Sequence, residues 1–94
     1  MEPMDTIAAA MTTNDARNAF GTLLQRHSGI VFKVANSYAR GSEDRADLAQ
    51  EIAAQLWYAY AKYDPARSFS TWMYRIALNV AIGHLRHQEL RQRH

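Results

Sequence analysis

Residues 47–79 read DLAQEIAAQLWYAYAKYDPARSFSTWMYRIALN, two helical patterns separated by a stop. In the first, Leu48, Ile52, Leu56, Ala59 and Tyr63 recur at three- and four-residue spacing, the repeat that places side chains on one buried stripe of an α-helix. Asp47, Gln50, Glu51, Ala54 and Trp57 share a second face off that stripe. Asp64-Pro65 ends the pattern, because the residue before proline avoids helical dihedrals. After a loop over Pro65 to Ser68, the residues Phe69, Trp72, Met73, Ile76, Ala77 and Val80 resume the repeat. They predict a helix that starts between Ser68 and Ser70 and runs to about Leu90.

Upstream of this stretch the same logic holds. Ser42, Glu43 and Asp44 suit the positive end of a helix dipole and open the helix that carries Asp47. Arg40-Gly41-Ser42 closes the one before it, with Gly41 fitted to the left-handed C-terminal position. That earlier helix starts at Asn14 or Asp15 and lines up Phe20, Leu23, Leu24, His27, Val31, Val34, Ala35 and Tyr38. Ser28-Gly29 inside it costs about 1 kcal/mol of helix propensity and allows a kink or short break. A weak short helix is expected around Ile7 to Met11. Sixteen alanines and the lack of any sustained apolar–polar alternation make the chain all-α, a compact three- to four-helix bundle.

A chain of 94 residues has room for one domain and one core. It is 48% hydrophobic and 21% charged, ordinary globular usage that excludes wholesale disorder. No cysteine occurs, so neither disulfides nor a thiolate zinc site stabilise it, and a reducing, cytoplasmic setting is expected. Glu2 and Asp5 stand where a signal peptide needs positive charge, and Ile7 to Met11 is too short to cross a bilayer. The net charge of +2 hides a polarity: +1 over residues 1–40, −3 over 41–64 and +4 over 65–94. An acidic middle and a basic end suit two different partners.

The acidic partner face is Asp47, Gln50 and Glu51 with Trp57 as an aromatic anchor, a surface matched to a helix carrying basic residues. The basic one is a stripe of Thr71, Arg75, Asn79, Gly83 and Arg86, stepping by four, four, four and three along the last helix. Arginine pairs phosphate, asparagine reads a base edge and rings stack on unpaired bases. Gly83 leaves room for a close backbone or nucleotide approach. Arg86, Arg91 and Arg93, with His87 and His94, extend the basic end. His84 and His87, with Glu89 nearby, lack a third ligand at metal-binding spacing, so a solvated or phosphate-facing role is expected and no metal or cofactor is implied. No nucleophile with an adjacent base is present, which argues against an enzyme. His27 is expected to pack as a structural histidine, and Tyr38, Tyr58, Tyr60 and Tyr63 to cover core edges.

Three runs in this order and spacing carry a resemblance: Asp47 to Glu51, Lys62 to Arg67, and Phe69 to Asn79. Together they resemble conserved region 2 of bacterial sigma-70 factors, and the short third run resembles the extracytoplasmic-function (ECF) group; the likeness covers residues 14–90. The resemblance implies a transcription initiation domain that docks on the β' clamp helices of core RNA polymerase and captures the melted, single-stranded minus-ten element of promoter DNA. It matches Asp47, Gln50 and Glu51 to polymerase-contacting positions. A captured base would sit in a rim of Arg67, Ser68, Phe69, Ser70 and Thr71 beside Trp72 and Arg75, with Asn79 below and Arg86 further along. Met73 stands where primary sigma factors have the second of two tryptophans, implying weaker melting, and Gly83 stands where many ECF members have an acidic residue. On this reading residues 1–13 are an N-terminal segment, 14–94 are region 2 with a frayed basic end, and region 4, the second helical domain, is absent. Such a module alone is expected to bind promoters poorly, having lost the effective concentration that a linked domain supplies. The rival is a sigma-like mimic that binds an anti-sigma factor without touching DNA.

Overall fold

The computed structural model describes residues 14–92, and every regular element within them is helical. In chain order these are α1 (Ala16–Arg26), α2 (Ser28–Tyr38), α3 (Ser42–Tyr60) and α4 (Phe69–Gln92). The all-α bundle expected from the sequence is the fold observed. The weak helix expected at Ile7 to Met11 falls outside the described residues, as do Arg93 and His94.

The break foreseen at Ser28-Gly29 occurs one residue earlier. His27 has φ −110° and ψ 19°, while its N–H still bonds the Leu23 carbonyl at 3.1 Å and its carbonyl accepts from Ile30 at 3.0 Å. A single non-helical residue therefore joins α1 to α2. The half-buried His27 ring lies 5.5 Å from the Phe69 ring, and Gly29 has no positive φ, so the bend does not draw on glycine's left-handed freedom.

Gly41 also serves differently from expectation. α2 has already ended at Tyr38, and Gly41 is the N-cap of α3. Its φ of 83° and ψ of 157° lie in a region essentially restricted to glycine. Its carbonyl accepts both the Arg45 N–H and the Arg45 Nε–H at 3.1 Å, which starts the helix. At the other end α3 stops at Tyr60, short of Asp64-Pro65. Lys62 and Tyr63 bond back to the carbonyls of Ala59 and Tyr60 at 3.0 Å, the tightened final turn common at helix ends.

Helices α2, α3 and α4 pack pairwise, and α1 lies across α2 and α3. Leu48, Ile52 and Leu56 from α3 meet Met73, Ala77 and Ala81 from α4, all with no exposed surface. Phe20, Val31, Val34, Ala35, Ala39 and Phe69 complete this core. On α4 the buried line runs 69, 73, 77, 81, so Ala81 takes the place expected of Val80. Trp72, Ile76 and Val80 flank it half-buried. Small side chains at 35, 77 and 81 let the backbones of α2 and α4 come close to the core axis. No polar or charged residue among those described is buried, so the centre is held by apolar burial alone, worth about 1.5–3 kcal/mol for a side chain such as Met73.

Candidate functional site

The turn before α4 is built from its own side chains. Asp64 Oδ1 accepts the Ala66 N–H at 2.9 Å, and the Asp64 carbonyl accepts the Arg67 N–H at 2.9 Å. The Tyr63 hydroxyl donates to the Arg67 carbonyl. Ser68 then starts α4: its carbonyl accepts the Trp72 N–H at 3.1 Å and its Oγ lies 3.4 Å from the Thr71 N, an N-cap position that serine favours. The Ser70 and Thr71 hydroxyls sit 3.1 and 3.3 Å from the Ser68 Oγ, a cluster of small donors and acceptors at one rim.

Behind that rim lies a hollow of about 280 Å³ lined by Arg67, Ser68, Thr71, Trp72 and Arg75. Five of the residues expected to meet nucleic acid thus surround one space. Phe69 does not line it: at 7% exposure it lies beneath, 5.3 Å from the Trp72 ring and 5.4 Å from the Tyr63 ring. Tyr63 reaches Trp72 at 4.9 Å, so the half-buried indole is fixed by rings below and beside it. Ser70 is half-buried next to the rim. Asn79 is exposed one turn beyond Arg75, whereas Arg86 is exposed about 16 Å further along the helix than Arg75 at ~1.5 Å per residue. Gly83 is approached by nothing within 4 Å of a would-be Cβ, so no neighbouring helix requires a glycine there.

On α3, Asp47, Gln50 and Glu51 are all exposed on one side, away from the buried Leu48–Ile52–Leu56 line. Trp57 is 38% exposed; its ring packs 5.3 Å from Phe20 and stacks at 6.4 Å on Tyr60. It belongs partly to the core edge and partly to this face. Tyr58 departs from expectation: it covers no core edge and is 81% exposed. Its place eleven residues after Asp47, three helical turns on, aligns it with the acidic face, and that spacing was the signal available in the sequence. Beside this face runs an apolar groove of about 460 Å³, whose lining includes Leu24, Val31, Phe32, Ala49, Gln50 and Ala53.

His84 also departs from expectation. It is neither solvated nor turned to a phosphate: with its side chain 14% exposed, Nε2 sits 2.9 Å from Asp44 Oδ1. Gln88 Nε2 donates to the same oxygen at 2.6 Å, and the Arg40 N–H donates to Asp44 Oδ2 at 3.2 Å. These donors, Gln88 first, hold the Asp44 carboxyl below its ordinary value despite partial burial, with His84 and Arg40 adding to the effect. Among the described residues no group of three potential ligands is arranged to hold a metal ion, and no helix is long and apolar enough to cross a membrane.

The Sigma-70 region 2 family model matches residues 23–91. The chain is 33% identical over 91 residues to the RNA polymerase sigma factor CnrH of Cupriavidus metallidurans, covering 97% of this chain and 48% of that protein. It is 30% identical to the sigma factor NccH of Alcaligenes xylosoxydans, over 81% of this chain and 41% of that one. It is 27% identical to the ECF sigma factor SigW of Bacillus subtilis, over 74% and 37%. The solved structure of CnrH in complex with the cytosolic domain of CnrY superposes with a TM-score of 0.65 at 33% identity, covering 84% of this chain and 50% of that chain. The chain therefore spans about half the length, or less, of the curated relatives it matches. The ordered motifs, the four-helix bundle and these likenesses agree: the chain belongs to the sigma-70 region 2 family, in its ECF group.

Proposed function

We propose that this domain acts in transcription initiation, docking through α3 on the β' clamp helices of core RNA polymerase and capturing the single-stranded minus-ten element of a promoter at the start of α4. The observation that carries the reading is the hollow bounded by Arg67, Ser68, Thr71, Trp72 and Arg75, on a different helix from the exposed acidic face of Asp47, Gln50 and Glu51.

A base leaves its stack at a cost of a few kcal/mol. Stacking on a ring returns about 1–3 kcal/mol per base, and Trp72 is the ring within reach, held at its angle by Phe69 and Tyr63. Hydroxyls of Ser68, Ser70 and Thr71 supply donors and acceptors that suit a base edge, and Arg67 and Arg75 suit the flanking phosphates. Asn79 extends the polar line below, and Arg86 meets phosphate further along the strand. The exposed carboxylates of Asp47 and Glu51 attract a basic helix, with Gln50, Trp57 and Tyr58 adding hydrogen-bonding and aromatic contact. The test is fluorescence anisotropy with a single-stranded minus-ten oligonucleotide against a scrambled strand. Wild type should prefer the former and weaken with salt, while N79A should erase the preference; equal affinity for both strands at every salt concentration would contradict the reading.

A second reading has its own support. The apolar groove beside Gln50 suits a protein helix, and a solved structure similar to this one is of CnrH in complex with the cytosolic domain of CnrY. A sigma-like mimic that binds an anti-sigma factor would use that groove and need no DNA. Oligonucleotide binding separates the two.

A further inference from the structure

Side-chain hydrogen bonds among the described residues almost all span four positions or fewer; the two that cross between helices both end on Asp44, from His84 and Gln88, 40 and 44 residues away. They form the polar link between the docking helix α3 and the strand-binding helix α4, in a bundle whose centre is otherwise apolar.

The second nitrogen of the same ring faces a second carboxylate. His84 Nδ1 lies 3.6 Å from Glu51 Oε2, and the Glu51 side chain is 49% exposed. Asp44 and Glu51 are seven residues apart, two turns of α3, so the imidazole sits between two acids on one helix face. A neutral imidazole has one N–H. In the neutral ring the 2.9 Å contact with Asp44 Oδ1, shorter than the 3.6 Å one with Glu51 Oε2, favours the hydrogen on Nε2, which leaves Nδ1 as the acceptor facing Glu51. A second proton converts Nδ1 into a donor and draws the Glu51 carboxylate to α4. The other groups around the link are Arg40 from the α2–α3 turn and Gln88 and Arg91 from α4, which share a hollow with Asp44. Among the described residues no other carboxylate comes within 4.0 Å of the ring.

We propose that His84 is a positioning residue for polymerase docking: neutral, it leaves Glu51 free for a basic residue of the partner, and protonated, it holds Glu51 against α4 and weakens docking. Histidine is the side chain whose charge ordinarily changes between about pH 5 and 8, so pH 6 and pH 8 are the conditions to compare. The inference rests on the reading that Glu51 contacts polymerase, and the experiment separates the two. Affinity for purified core polymerase is measured at pH 6 and pH 8 for wild type, H84Q and E51Q. Wild type loses about two- to fivefold more affinity on going to pH 6 than either variant, the size expected of a partly exposed ion pair. E51Q alters only the exposed partner of the pair, so its pH response can be measured even where H84Q melts too low to assay. A pH response in E51Q equal to that of wild type overturns the inference. E51Q binding as tightly as wild type at pH 8 overturns instead the assignment of Glu51 to the docking face.

Discussion

Asp44 is where a single carboxylate has the most to do. It sits in the first turn of α3, accepts from Gln88, His84 and the Arg40 backbone, and is held below its ordinary value of 3.8 chiefly by the Gln88 hydrogen bond. A folded value below the unfolded one means that its stabilisation is fully present above pH 3.8 and is lost as pH falls through the depressed folded value. The melting temperature of D44N should therefore lie below that of wild type at pH 7, with the gap closing in acid below pH 3.8; a gap independent of pH would contradict this. Gly83 gives the opposite kind of prediction. A Cβ there meets nothing within 4 Å, so G83A should stabilise by about 1 kcal/mol, raising the melting temperature ~4–8 °C in a domain of this size. Loss of oligonucleotide affinity in the same variant would place the strand against this turn; unchanged affinity would place it elsewhere. The dipole role of Asp44 was legible from its position after Gly41-Ser42. Its link to His84 was not, because a contact across 40 residues leaves no mark in local spacing.

Among the helices, α3 and α4 were legible because each carries an unbroken apolar repeat and a capping or dipole residue at its start. What periodicity left uncertain was the centre of the buried line on α4, where Ala81 displaced Val80, and the end of α3, where the tightened turn at Lys62 and Tyr63 came before proline could act. Both depend on how closely a neighbouring helix approaches, which one helix's pattern does not contain. At the α1–α2 bend, Ser28-Gly29 gave the region, and the residue that leaves the helix is His27, one position earlier, beside the Phe69 ring. Leu56 has no exposed surface, so L56A should cost about 2–5 kcal/mol in chemical denaturation. On the outer face of the same helix, E51K should cost about tenfold or more in core polymerase affinity, ~1.4 kcal/mol per decade, with the melting temperature little changed. A deficit in L56A below about 1 kcal/mol, or full polymerase affinity in E51K, would reverse the two faces assigned to α3.

Taken together, the bundle uses its apolar centre to hold two chemically opposite surfaces on separate helices. The charge tally and the three motif runs pointed to two groups of residues, and the structure has Asp47, Gln50 and Glu51 exposed on α3 and Arg67, Ser68, Thr71, Trp72 and Arg75 around one hollow at the start of α4. Sequence could not tell which rings stay open. Phe69 and Trp72 carry the same helical signal, yet Phe69 lies on the buried line with Met73, Ala77 and Ala81, whereas Trp72 flanks that line, half-buried, and faces the hollow. Separate surfaces predict separable losses. The direct measurement is to titrate E51K and the R75A/N79A double variant, each first shown to be folded by its melting curve, against both core RNA polymerase and the single-stranded minus-ten oligonucleotide. E51K should lose polymerase and keep the strand, and R75A/N79A should lose the strand and keep polymerase; a folded variant that loses both partners, or a pair of variants that lose neither, would contradict the account.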